Sequence, residues 1–148
     1  MNNINRWLTA HSLNLLRISI GIIYVWFGAL KYFPSLSPAD QLAKDTIHLI
    51  TFGLIPGSVS IILLAIWETA LGFMLIFASW KRVVFYVLLI HMACTFVPLF
   101  FFADVSFTAL PYAFTLVGQY IMKNLIIICA ALVLNAHAEG RITIQTTS

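Results

Sequence analysis

The chain has 148 residues, of which 61% are hydrophobic and only 9% charged, and its mean hydropathy is +0.99. Soluble domains carry roughly 25% charged residues, so this composition excludes an ordinary soluble globular fold. The net charge of +3 comes from Lys and Arg scattered at the ends of apolar runs. Basic residues there orient helices in a membrane and make no patch for nucleic acid.

Residues 1–11 form a short polar lead with Arg6 and Trp7, suited to the cytoplasmic interface. They lack the basic start, short apolar run and small-residue cleavage site of a secretory signal, so the first span is expected to stay as a helix. That span is expected over 13–33. Arg17, Gly21, Tyr24, Gly28 and Lys31 recur in it at steps of four and three and so share one helix face. Ile18, Ile22, Val25, Phe27 and Leu30 fall elsewhere and are expected to meet lipid. Gly21 and Gly28 allow another helix to approach closely. For Arg17 and Lys31, near the span ends, snorkelling to the nearer interface stands beside a role inside the bundle.

Residues 38–52 read as a short amphipathic helix lying in the interface or capping the bundle. Ser37 is expected as its N-cap, Pro38 in the first turn and Asp40 near the positive end of the dipole. Leu42, Ile47, Ile50 and Leu54 oppose Gln41, Lys44, Asp45 and His48, and Gly53 and Pro56 end the element. His48 reads as a surface residue.

The second span, 57–79, carries one carboxylate, Glu68, near its middle. A charge at bilayer depth costs about 2.5–3.5 kcal/mol on insertion scales, so the chain must supply compensation. Ala65, Glu68, Gly72 and Leu75 share a face, with small residues flanking the carboxylate. A very short turn, 79–82, leads to a third span over 83–102. There His91, Cys94, Thr95 and Pro98 lie along one side, and Pro98 is expected to kink the outer third. Residues 103–117 read as an outer loop or a partly re-entrant segment. The fourth span is expected over 118–136, with Lys123 and Asn124 about 9 Å inside its outer end, and the tail 137–148 is polar and short. Cys94 and Cys129 lie in apolar runs without metal spacing and read as packing residues, a disulfide between them being left open. No metal site is read. Trp7, Trp26, Tyr32, Trp80 and Tyr120 sit at span ends, as interface belts do.

The expected fold is therefore all-α: one membrane domain, a four-transmembrane-helix bundle with a short amphipathic helix between the first and second spans. Arg6, Lys81, Arg82 and Arg141 fall on one side of it. Lys31 and Lys44, offset by Asp40, Asp45 and Asp104, fall on the other. The positive-inside rule then favours both termini in the cytoplasm, and the membrane expected is a bacterial inner membrane.

At 1.5 Å per residue Glu68 lies about 16 Å from either end of its span and His91 about 12 Å deep, so the two are nearly level. Lys123 lies nearer the outer face, within reach of its stem. A Glu68–His91–Lys123 network is expected, with Arg17 reaching from below, Tyr24 as a hydroxyl partner, and Gln119 and Asn124 adding amides. Buried polar groups in hydrocarbon need partners whatever the function, so one reading is that the network serves only to fix the bundle. The alternative is an ionisable pocket, with Glu68 and His91 handling protons and Lys31 and Lys123 attracting a carbonyl or an anion. Four spans without repeats or broken-helix pairs argue against a transporter.

Three motifs in order resemble the DoxX-like family of small membrane proteins. The first span has R-x-x-x-G at Arg17 and Gly21, then G-x-x-K at Gly28 and Lys31. The second has E-x-x-x-G at Glu68 and Gly72. The fourth opens with G-x-x-x-x-K-[DN]-L at Gly118, Lys123, Asn124 and Leu125. The resemblance covers about residues 13–136 and implies a four-helix membrane fold with Arg17, Lys31, Glu68 and Lys123 as the family's polar residues. His91 and both cysteines fall outside the pattern. Relatives in that family include the small subunit of an archaeal thiosulfate:quinone oxidoreductase, proteins associated with oxidative-stress partners, and receptor-assembly chaperones. The resemblance thus implies either of two roles. One is a membrane subunit of a redox-linked, quinone-linked oxidoreductase, working with a quinone-like or lipid-like ligand and a protein partner or a second copy of itself. The other is a non-enzymatic scaffold or assembly factor. The chain has no haem, flavin or iron–sulfur signature and no catalytic motif of its own, so redox chemistry would come from a quinone or a partner subunit.

Overall fold

The computed structural model describes residues 3–33, 36–37, 39–77 and 82–143. Its elements are α1 (Asn3–Leu30), α2 (Asp40–Ile50), α3 (Gly57–Phe77), α4 (Arg82–Phe101), α5 (Ala103–Ser106), β1 (Phe107–Ala109), β2 (Ala113–Phe114), α6 (Leu116–Met122) and α7 (Asn124–Ala138). Among the described residues, four helices are long and apolar enough to cross a membrane: α1, α3, α4 and the α6–α7 pair, Leu116–Ala138. Leu71, Leu75, Val84, Leu88 and Ala131 are buried between them, while Ile22, Trp26, Ile66, Phe73, Ile90 and Ile126 project outward. Helices apolar inside and out have no stable place in water, which fits a bundle whose outer solvent is lipid.

The tightest seam joins α1 to α3, and it is built from glycines. A Cβ on Gly28 would lie 2.6 Å from Thr69 Oγ1 and 2.8 Å from Thr69 N; one on Gly72 would lie 2.7 Å from Val25 N. The two backbones therefore touch, as small residues permit in membrane helix pairs. The shared face read from the sequence holds for its centre: Gly21, Tyr24 and Gly28 are buried, as are Ala65, Glu68, Gly72 and Leu75 opposite. Two residues assigned to lipid are turned inward. Val25 packs on Gly72 and Phe27 lines an internal cavity.

Several boundaries shift. α1 begins ten residues before the expected start, because 3–12 continue as helix rather than lying as a separate lead. Ser37 does not cap α2. Ala39 holds the N-cap position without a side-chain bond, and Ser37 is instead buried on the cavity. Pro38, Ser79, Trp80 and Lys81 lie outside the described residues. α2 ends in paired capping bonds, Phe52 N–H to Leu49 O and Gly53 N–H to His48 O. The left-handed residue that opens the turn is Phe52, at φ 52°, with Gly53 following at φ 79°.

The segment expected as an outer loop or a partly re-entrant segment is ordered by short-range bonds. Ser106 is fully buried and donates to Pro98 O at 3.2 Å, and Thr115 N–H donates to Ser106 O at 3.1 Å. Between them β1 and β2 form a two-stranded antiparallel pair. The Thr115 hydroxyl donates to Val105 O at 2.7 Å and accepts from Gly118 N–H at 3.1 Å, capping α6. A Cβ on Gly118 would run into the Ser106 carbonyl, so α6 seats directly on this corner. The corner fixes where Lys123 and Asn124 enter the bundle. Cys94 and Cys129 are both free thiols.

Candidate functional site

α3 carries Glu68 eleven residues from its start, at a depth where a lone carboxylate is costly. Its Oε2 accepts from Lys31 Nζ at 2.6 Å, and its Oε1 lies 3.6 Å from His91 Nε2. The side chains of Glu68, Lys31 and His91 are 11%, 8% and 9% exposed, so the group is withdrawn from solvent as a unit. Lys31 sits just past the end of α1 and sends its stem back along the helix, where Nζ also donates to Phe27 O at 3.3 Å. It does not snorkel. In low dielectric, a carboxylate matched to an ammonium at hydrogen-bond distance is the compensation that the sequence demands.

Tyr24 packs beside this group, its ring 5.5 Å from that of His91 and tilted by 58°. It was expected as a hydroxyl partner of the carboxylate, yet its buried OH makes no hydrogen bond. Most buried hydroxyls are satisfied, so an orphaned one beside an ion pair marks an unmet donor–acceptor position.

These residues form one wall of a cavity of about 230 Å³ lined by all four spans. α2 lies across it and contributes its apolar side through Leu42, Ala43, Ile47 and Ile50, which explains why an amphipathic helix belongs there. α4 supplies Met92, Cys94, Thr95 and Pro98. The side of α4 read from spacing is thus the cavity side. From the α6–α7 junction come Tyr120, Lys123 and Asn124. Asn124 Nδ2 donates to Thr95 Oγ1 at 3.1 Å, and Thr95 in turn donates to Met92 O at 2.7 Å. Lys123 Nζ stands 4.4 Å from the ring centroids of both Phe27 and Tyr120.

Of the residues singled out by sequence, Tyr24, Lys31, Glu68, His91, Lys123 and Asn124 meet at this cavity. Three expectations are corrected. Lys123 is not the partner of Glu68; that place belongs to Lys31, because the lysine stem folds inward. Arg17 lies 14 residues before Lys31 on α1, about 21 Å away, and does not reach the cavity. Gln119 is exposed, and its amide reaches Phe114 O at 3.4 Å instead. Sequence reasoning missed Phe27 and Tyr120, assigned to lipid and to an interface belt. The signal was present, since Phe27 stands between Tyr24 and Lys31 at steps of three and four.

Comparison with known families, curated proteins and solved structures finds no match for this chain.

Proposed function

We propose that this protein is a small integral membrane protein that holds an amphipathic molecule, lipid-like or quinone-like, by its polar head inside the bundle. The observation that carries the reading is the cavity itself: apolar on most of its wall, with the Lys31–Glu68–His91 group and the unbonded Tyr24 hydroxyl together on one wall. Ligand sites have this mixed lining, but they typically measure about 300–1,000 Å³. A cavity of about 230 Å³ takes a head group or a single ring and leaves an acyl or isoprenoid tail to run out between helices.

The donors available are the Lys31 and Lys123 ammoniums and the Tyr24 hydroxyl, and they match a carbonyl or an anionic oxygen. Glu68 and His91 form the adjoining pair able to hold a proton, with Lys31 keeping Glu68 oriented. A bound quinone would supply two-electron redox chemistry, and the chain would orient its carbonyl and exclude water. The DoxX-like resemblance supports this reading, and with it an inner-membrane subunit that works beside a partner.

The α1–α3 seam favours a second reading. Lys31 and Glu68 join the two helices that already lie closest, so the pair also suits a scaffold or assembly factor. The experiment is mass spectrometry of small molecules extracted from purified wild type and from the cavity-filling variant Ala43→Trp. A specific lipid or quinone present in the first and lost from the second supports ligand binding. Bulk lipid alone in both, with the variant fully folded, refutes it and leaves the scaffold.

A further inference from the structure

The charges on the cavity wall do not cancel. Among the described residues Glu68 is the one carboxylate lining it, and both its oxygens face cationic or imidazole donors, Lys31 at 2.6 Å and His91 at 3.6 Å. Nearby acids are engaged elsewhere: Asp40 pairs with Lys44 at 2.6 Å and Asp45 accepts from Gln41 at 2.9 Å. Lys123 is left over. Among the described residues it makes no ion pair and no side-chain hydrogen bond, and its ammonium meets only the faces of Phe27 and Tyr120.

Its position adds direction. Lys123 lies seven residues inside Leu116–Ala138, about 10 Å along the span, yet it is exposed while also lining the cavity. It therefore stands where the cavity meets the lateral surface, at the edge shared by α1 and α6. A snorkelling lysine extends away from the span centre. This one is held between two rings from different helices, with its donors unused. Ring faces attract an ammonium but accept no conventional hydrogen bond, so the strongest available partner, an anion, is unprovided by the chain.

Resting on the ligand reading above, we infer that the site selects an anionic head, a carboxylate or phosphate monoester on an apolar tail, with Lys123 as its charge partner at the cavity edge. A neutral alcohol or a quinone ring would leave that charge uncompensated.

The test is equilibrium binding of four probes to the purified full chain in neutral-detergent micelles: oleate, oleoyl lysophosphatidate, oleyl alcohol and decylubiquinone. Wild type is compared with Lys123→Gln and Lys123→Arg. The anionic probes should bind at least about tenfold tighter than oleyl alcohol, the scale of one charge-assisted hydrogen bond. Lys123→Gln should abolish that preference and Lys123→Arg should keep it. Oleate without lysophosphatidate would assign a carboxylate, and the reverse a phosphate. Equal binding of oleyl alcohol or decylubiquinone, or anion affinity unchanged in Lys123→Gln, overturns the anionic head and leaves the amphiphile reading standing. Saturable binding of none of the four overturns both. The head-group comparison in wild type decides the anionic preference even if a variant misfolds, and Lys123→Arg beside Lys123→Gln decides the role of Lys123.

Discussion

Replacing Glu68 with leucine and with glutamine should separate a charged partnership from simple packing. In Glu68→Leu the Lys31 ammonium, 8% exposed as a side chain, loses its 2.6 Å acceptor and keeps only Phe27 O at 3.3 Å. Removing one partner of a buried pair costs about 3–5 kcal/mol. Because Lys31 lies at a helix end, its stem has an escape route to the interface, which places the expected loss near the lower limit, about 3 kcal/mol. Glu68→Gln keeps an oxygen for Lys31 and exchanges a charge-assisted bond for a weaker one, a loss of about 1 kcal/mol. The gap of about 2 kcal/mol corresponds to roughly a 30-fold difference in the folding equilibrium. Denaturing-detergent titration followed by tryptophan fluorescence measures it. A cycle with Lys31→Met should show coupling of similar size, the double variant Glu68→Leu/Lys31→Met being milder than the single losses summed. Equal stability of the Leu and Gln variants, or strict additivity with Lys31→Met, would refute the ion-pair argument.

Gly72→Ala should cost about 1–3 kcal/mol by forcing α1 from α3, since its Cβ meets Val25 N at 2.7 Å and Gly21 O at 2.8 Å. Gly140→Ala meets nothing within 4 Å and pays only for its φ of +71°, about 1 kcal/mol, so ranking the two by thermal unfolding tests the seam. Asn124→Ala removes its hydrogen bond to Thr95, and in a membrane bundle this should cost only about 0.6 kcal/mol. A loss several times larger in unfolding assays would give Asn124 a wider structural role than that one bond. Reporter fusions at the two termini should both read as cytoplasmic. Opposite sides would mean that one of the four helices does not cross.

What the sequence made legible was whatever helical periodicity controls. Gly21, Tyr24 and Gly28 at steps of three and four named the inner face of α1, and Ala65 to Leu75 named the matching face of α3. Depth counting brought Glu68 level with His91, and the structure places them 3.6 Å apart. Side-chain reach was not legible. Lys31 and Lys123 have similar stems and lie near similar ends, and only the folded packing shows that Lys31 turns inward to the carboxylate while Lys123 is taken up by Phe27 and Tyr120. The order within 103–117 was not legible for another reason. Its order comes from the buried Ser106 and the Thr115 cap, bonds between residues about ten apart that no apolar period encodes.

The central claim is that the bundle encloses a site for the head of an amphipathic ligand. A density map of the protein extracted with its native lipid tests it most directly. The account predicts density within the cavity beside Tyr24 and Lys31, continuing past Lys123 into the surrounding lipid. A cavity closed by Phe27, Leu42 and Met92, with the ion triad intact and nothing between the helices, would contradict it and make the triad a structural clasp.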